Sequence, residues 1–100
     1  MTQPQAQQEH PEPDVILELV RTRQQEYGGF ESNANLTQTL MGVTLEAAAR
    51  AGRKFSPVEK EAIHMIYHKI ARLTCGIPGL AGRHTEDICG YAKLLHDHTQ

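Results

Sequence analysis

Residues 56–75, SPVEKEAIHMIYHKIARLTC, decide the fold class of this chain. Ser56 stands at the N-cap position, Pro57 at N1 and Glu59 at N3, which is the capping box of a helix start. Apolar residues then recur at helical spacing until Gly76 stops the pattern. The stretch therefore predicts a helix that ends near Cys75. Its apolar stripe consists of Ala62, Ile63, Ile66, Ile70 and Leu73.

The same spacing predicts three more helices around this one. The first covers residues 15–26, with Asp14 as its N-cap and the pair Gly28-Gly29 behind it. The second begins at residue 32 or 33 and runs to Arg50, and the last follows Thr85 as its cap. No segment alternates with period two, so we expect no strands. The predicted fold is all-α, a small bundle of three to four helices.

Length and composition set the domain organisation. The chain has 100 residues and a mass of 11.2 kDa, with 39% hydrophobic and 22% charged residues. These values are typical of one small globular domain. Residues 1–13 are rich in Gln and Pro and lack apolar anchors, which predicts a disordered tail. We expect a single helical domain over residues 14–98.

Charge and hydropathy exclude several classes of protein. The net charge is −2 and the pI about 6.3, so there is no strong nucleic-acid signal. No apolar run approaches the roughly 20 residues that cross a membrane. The first residues lack a basic region followed by an apolar one, and the chain has only two cysteines. We therefore expect no signal peptide and a location in the reducing cytoplasm.

Several polar residues lie where burial alone would not place them. Arg23 falls in the middle of the apolar stripe of the first helix, at roughly 100° per residue. Lys69 borders the apolar arc of the third helix, and Arg72 follows one turn later. Asp87 lies on the flank of the last helix, with Tyr91 one turn on. A charge that faces a core must be paired or must bind something.

Two interpretations of these residues stay open. They tie helices together as a structural ion-pair network, or they form a pocket for an anion or nucleotide, with Tyr27 or Tyr91 stacking on a base. Gly90, inside the last helix, predicts a close approach by another helix or a ligand. The candidate ligand-binding residues are Arg23, Tyr27, Lys69, Arg72, Asp87 and Tyr91.

Enzyme and metal signatures are weak. His64 and His68 stand four residues apart on a helix, as two metal ligands would, but the Glu of the metalloprotease pattern is replaced by Met65. The chain has no P-loop, no GxGxxG and no GxSxG motif. We predict no catalytic residue, no metal ligand and no cofactor, which favours a protein that is not an enzyme.

Three stretches together resemble a family of small phage and prophage proteins. Residues 23–30 read RQQEYGGF, residues 61–72 read EAIHMIYHKIAR, and residues 86–92 read EDICGYA. The family reads roughly R…YG.F, EA..MI..KIAR and D..DIAGYA, and the likeness covers residues 15–95. Related sequences place an acidic residue in the loop before the last helix, where this chain has GLAGRH at 79–84. The resemblance implies a helical phage or prophage protein that acts inside the host cell, and it implies no catalytic residues.

The second helix predicts self-association. It is apolar on two sides, and a chain of this size has a small core. We therefore expect a homo-oligomer, with a dimer favoured. The interface candidates are Met41, Leu45, Ala48 and Met65.

Three functions follow as hypotheses. The first is a non-enzymatic phage accessory protein that binds a small anionic ligand such as a nucleotide. The second is a structural or protein-interaction module whose polar residues only fix helix packing. The third is a metal-dependent nucleotide hydrolase.

Overall fold

A computed structural model describes residues 13–99, which form four α-helices and no strand. The helices are α1 (Pro13–Tyr27), α2 (Phe30–Arg50), α3 (Pro57–Cys75) and α4 (Ala81–Thr99), and a 3-10 turn, Pro78–Leu80, precedes α4. The predicted all-α fold is confirmed. Of the predicted tail, residues 1–12 lie outside the described residues, and Pro13 belongs to α1. No described helix is long and apolar enough to cross a membrane.

The start and end of α3 confirm the sequence prediction. The Ser56 hydroxyl accepts a hydrogen bond from the Glu59 amide at 3.1 Å, and the Ser56 amide donates to Glu59 Oε1 at 2.8 Å. The capping box is therefore complete. The helix ends at Cys75, and the Gly76 amide donates to the Arg72 carbonyl at 2.8 Å.

Three helix starts differ from the prediction. Asp14 lies in the first turn of α1 and is not its N-cap. The Gly pair breaks the chain for only two residues, so α2 begins at Phe30. The largest difference is in α4, which begins at Ala81 because the 3-10 turn continues directly into it. Thr85 lies inside that helix and caps nothing, since its hydroxyl donates to the Gly82 carbonyl.

The central helix is α3, which lies between α2 and α4 and packs against both. The hydrophobic residues buried among those described are Met41, Ala62 and Ala71. Across the α2–α3 contact, the hydroxyls of Thr44 and Tyr67 share a hydrogen bond of 2.6 Å. Met41 was expected at a subunit interface and instead belongs to this core, because its side of α2 faces α3. Of the other interface candidates, Leu45 is exposed, and Ala48 and Met65 are half-buried.

The first helix stands apart from the other three. Its aliphatic residues are all exposed, and α1 meets the rest of the chain mainly at its C-terminal end. The radius of gyration is 18.0 Å, whereas a compact domain of this length has about 13 Å. The chain is therefore elongated, with one helix that nothing in the described chain covers.

Candidate functional site

A cavity of about 500 Å³ opens between α1, the start of α2, and α3. It combines apolar walls with two guanidinium groups, and no Asp or Glu among residues 13–99 lines it. The residues that line it are Leu19, Val20, Arg23, Gln24, Tyr27, Gly28, Phe30, Asn33, His68 and Arg72.

Two glycines place α1 at the edge of this cavity. Gly28 has φ +84°, a left-handed conformation that glycine adopts without strain. A Cβ at Gly28 would lie 2.5 Å from the Cys75 carbonyl oxygen, and one at Gly76 would lie 2.7 Å from the Glu26 carbonyl oxygen. The Ile77 amide also donates to the Glu26 carbonyl at 3.1 Å. The end of α1 therefore crosses the end of α3 at a distance that side chains would not permit.

Asn33 fixes the link between α1 and α2. Its amide nitrogen Nδ2 donates to the carbonyl oxygens of Tyr27 and Gly29, both at 2.8 Å. Asn33 is buried, and its Oδ1 has no hydrogen-bond partner in the described chain, nor does the hydroxyl of buried Thr37 one turn later. These bonds hold the two-residue link and so set the angle at which α1 leaves the site.

An arginine and a tyrosine from different helices stack in the cavity wall. The Arg72 guanidinium carbon lies 4.4 Å from the centre of the Tyr27 ring, a cation–π contact that holds both side chains in place. Tyr27 also meets His84 in a T-shaped arrangement, with ring centres 5.8 Å apart. Because Arg72 covers one face of Tyr27, the ring is held within the wall.

His84 lies behind this stack and is buried, with 1% of its surface exposed. Neither ring nitrogen has a hydrogen-bond partner in the described chain. Burial, and then the positive charges of Lys69 and Arg72, lower the pKa of His84 below its usual value of 6.5. The ring is therefore neutral at pH 7 and adds no charge to the wall.

Arg23 reaches the same cavity from α1, but it is exposed. The expectation that it faces the core is wrong, since nothing in the described chain covers that side of α1. Burial, then the charges of Arg72 and Lys69, lower the pKa of His68, which also lines the cavity. Neither Arg23 nor Arg72 forms an ion pair with a carboxylate among residues 13–99. The two guanidinium groups therefore dominate the charge of the cavity.

Lys69 and Asp87 form an ion pair outside the cavity. Lys69 Nζ lies 3.0 Å from Asp87 Oδ2, and the Lys69 side chain is only 14% exposed. The hydrogen bond from Lys69 lowers the pKa of the Asp87 carboxyl. The pair joins α3 to α4, and neither residue lines the cavity. These two candidates therefore serve as a link between helices.

Tyr91 lies outside the cavity. It lines a separate surface depression together with Asp87, Gly90 and Leu94. A Cβ on Gly90 would meet nothing within 4 Å, so the predicted close approach to that glycine is wrong. The six sequence candidates therefore divide into three cavity residues, one ion pair and one distant tyrosine.

Phe30 is one of seven cavity residues that the sequence analysis does not select as ligand-binding. It is 82% exposed at the start of α2 and lines the cavity. The sequence places it directly after Gly28-Gly29, as the last residue of the stretch RQQEYGGF. A large aromatic residue just past a helix break was the available signal, because such a residue has no helix stripe of its own to join.

The candidate metal and thiol residues are not grouped. The rings of His64 and His68 have centres 6.5 Å apart. Within residues 13–99, no three His, Cys, Asp or Glu side chains lie close enough together to hold a metal ion. Cys75 is half-buried and Cys89 exposed, and both are free thiols.

Comparison of the chain with protein-family models, with curated proteins and with solved structures finds no match. The likeness to small phage proteins therefore stays a prediction from the motifs. What this site can do has to follow from its geometry.

Proposed function

We propose that this chain is a non-enzymatic phage or prophage accessory protein that binds a small anionic ligand, such as a nucleotide, in the host cytoplasm. The observation that carries the proposal is the presence of Arg23 and Arg72 in the lining of one apolar cavity, to which the described part of the chain contributes no carboxylate. Guanidinium groups match the geometry of phosphate and carboxylate oxygens and stay charged at all physiological pH values. Such a cavity therefore favours an anionic ligand.

The shape of the cavity fits a ligand with both charged and apolar parts. Its volume of about 500 Å³ lies within the range of roughly 300–1,000 Å³ that is typical of small-molecule sites. Leu19, Val20 and Phe30 provide an apolar wall against which a planar base can lie. A nucleotide would place its phosphate between the two guanidinium groups and its base against this wall.

The stacking of Arg72 on Tyr27 preorganises the Arg72 side chain for ligand binding. A guanidinium held at 4.4 Å over an aromatic ring has already lost much of its rotamer freedom, so less entropy is lost on binding. Arg23 comes from α1 and Arg72 from α3, so an anion that contacts both bridges two helices. We therefore expect a ligand to stabilise the docking of α1.

Isothermal titration calorimetry of the full chain tests the proposal with inorganic phosphate, mononucleotides and cyclic nucleotides. We expect Arg72→Met and Arg23→Met each to weaken binding about tenfold or more, since a hydrogen bond to a charged group contributes roughly 1.5–3 kcal/mol. Arg21→Met is the matched control, because Arg21 lies on the same helix and pairs with Glu18. Absence of binding by every compound, or equal affinity in all three variants, would refute the proposal.

A second candidate is a structural or protein-interaction module. Two contacts favour it, since Lys69 with Asp87 joins α3 to α4 and Arg72 with Tyr27 joins α3 to α1. In that case Arg72→Met lowers the melting temperature, and no compound in the panel raises it. No observation favours the metal-dependent nucleotide hydrolase, because the cavity lining offers no acidic metal ligand.

A further inference from the structure

The apolar face of α1 and the neighbouring Phe30 form one exposed surface, which we call the α1 face. The aliphatic residues of this surface are each between 45% and 57% exposed, and Phe30 is 82% exposed. Three of its members, Leu19, Val20 and Phe30, also line the cavity. The α1 face consists of Val15, Ile16, Leu19, Val20 and Phe30.

The area of this surface matches one side of a protein–protein interface. An aliphatic side chain presents on the order of 100 Å² and an aromatic one about 200 Å². At the observed exposures, the α1 face therefore presents about 360 Å² of apolar surface. A standard interface buries about 800 Å² on each partner, of which a little over half is apolar. One helix and one Phe therefore supply most of the apolar part of a standard interface.

Within residues 13–99, nothing covers this surface. Residues 1–12, MTQPQAQQEHPE, offer only Met1 and Ala6 besides two prolines, which is too little apolar area for the purpose. The described helices leave the surface open, and the buried hydrophobic residues among them are three in number. A chain with so small a core needs additional apolar burial to be stable.

We infer that the α1 face of one chain packs against the α1 face of a second copy in a symmetric dimer. A second copy of the chain is always available as a partner. It can therefore supply the additional apolar burial that the small core needs. The charges on α1 also suit a contact between identical surfaces, because the acidic Asp14 and Glu18 precede the basic Arg21 and Arg23, so antiparallel packing of two copies sets opposite charges side by side.

This dimer also completes the cavity. Because Leu19, Val20 and Phe30 belong both to the cavity lining and to the α1 face, a second copy seated there forms an additional wall. The dimer does not depend on the proposed ligand, and its test is the oligomeric state alone.

Sedimentation velocity of the full chain, from about 1 to 100 µM, tests the inference. We expect a species of twice the chain mass of 11.2 kDa. Ile16→Glu with Val20→Lys should return the mass to that of one chain, and the new pair at i and i+4 favours the helix. The matched control is Gly90→Glu with Leu94→Lys on α4, where Gly90 has open space and Leu94 is 53% exposed. This control should stay dimeric.

A fluorescent reporter covers the case in which the double variant does not fold. The chain has no Trp, so Ile16→Trp introduces a single emitter into the α1 face and Leu94→Trp one outside it. We expect the emission of Ile16→Trp to shift to longer wavelength on dilution and that of Leu94→Trp to stay constant. A monomeric wild-type chain at 100 µM, or equal behaviour of the two reporters, would overturn the inference. The α1 face would then be a binding surface for a different protein.

Discussion

Replacing Gly28 with Ala tests the junction that places α1 beside the cavity. Gly28 has φ +84°, and the new Cβ would lie 2.5 Å from the Cys75 carbonyl oxygen and 2.8 Å from its carbonyl carbon. Gly52 is the matched control, since its φ is +72° but a Cβ there meets nothing within 4 Å. The two variants share the cost of a left-handed Ala and differ in the steric clash.

The expected magnitudes follow from these two terms. A left-handed Ala costs about 1 kcal/mol, so Gly52→Ala should lower the free energy of unfolding by that amount. The clash at Gly28 is with backbone, which has to move, and overpacking of this kind adds about 2 kcal/mol. Gly28→Ala should therefore cost about 3 kcal/mol, or a fall in melting temperature of roughly 12 °C or more. Gly90→Ala lies in an open helix position and should gain about 0.5–1 kcal/mol.

Urea unfolding followed by circular dichroism measures these differences, and thiol labelling locates them. Cys75 is half-buried at the junction, whereas Cys89 is exposed and serves as an internal reference. If α1 separates from α3 in Gly28→Ala, Cys75 reacts faster with a thiol reagent while Cys89 does not. Equal stability losses in Gly28→Ala and Gly52→Ala, with an unchanged Cys75 rate, would refute the proposed crossing of the two helix ends.

Three further predictions concern the contacts that surround the site. Tyr67→Phe should lower the free energy of unfolding by about 1 kcal/mol, because it breaks the hydrogen bond to Thr44; a Thr44→Val background that leaves this loss unchanged would contradict it. Since the pKa of His84 is lowered in the folded chain, the unfolded state binds the proton more readily, and stability should fall as the pH drops below 6.5. His84→Leu should flatten this dependence in denaturation curves at pH 5 to 8, and an unchanged slope would count against a neutral buried ring. The single variant Asp87→Ala should destabilise the chain more than the double variant Lys69→Met with Asp87→Leu, because it leaves a largely buried Lys69 ammonium without its carboxylate. Thermal melts of both variants measure this order. The opposite order would show that the ion pair does not join α3 to α4.

The sequence predicts α3 at both ends because its signals are local. The capping box needs only residues 56–59, and Gly76 stops the helix where the apolar pattern ends. The predicted start of α4 was wrong because no local signal marks it. The 3-10 turn runs into Ala81 without a break, and no cap residue marks that boundary. The shift of five residues, from 86 to 81, places His84 on a helix and against Tyr27, which no local pattern indicates.

The site was predicted in part. Tyr27 and Arg72 meet because two glycines let the ends of α1 and α3 cross, and a sequence shows the glycines without showing which backbone they approach. Arg23 was expected to face a core because its neighbours are apolar. That inference assumes that an apolar stripe is covered within the same chain, and α1 is not.

The position of α3 between its two sequence neighbours affects how the chain folds. Its partners are the helix before it and the helix after it, so most tertiary contacts close short loops and the entropy lost in each closure is small. Chains dominated by such local contacts fold on the order of microseconds to milliseconds. We therefore expect the three-helix unit to form in one fast kinetic phase, with attachment of α1 as a later and separately observable step.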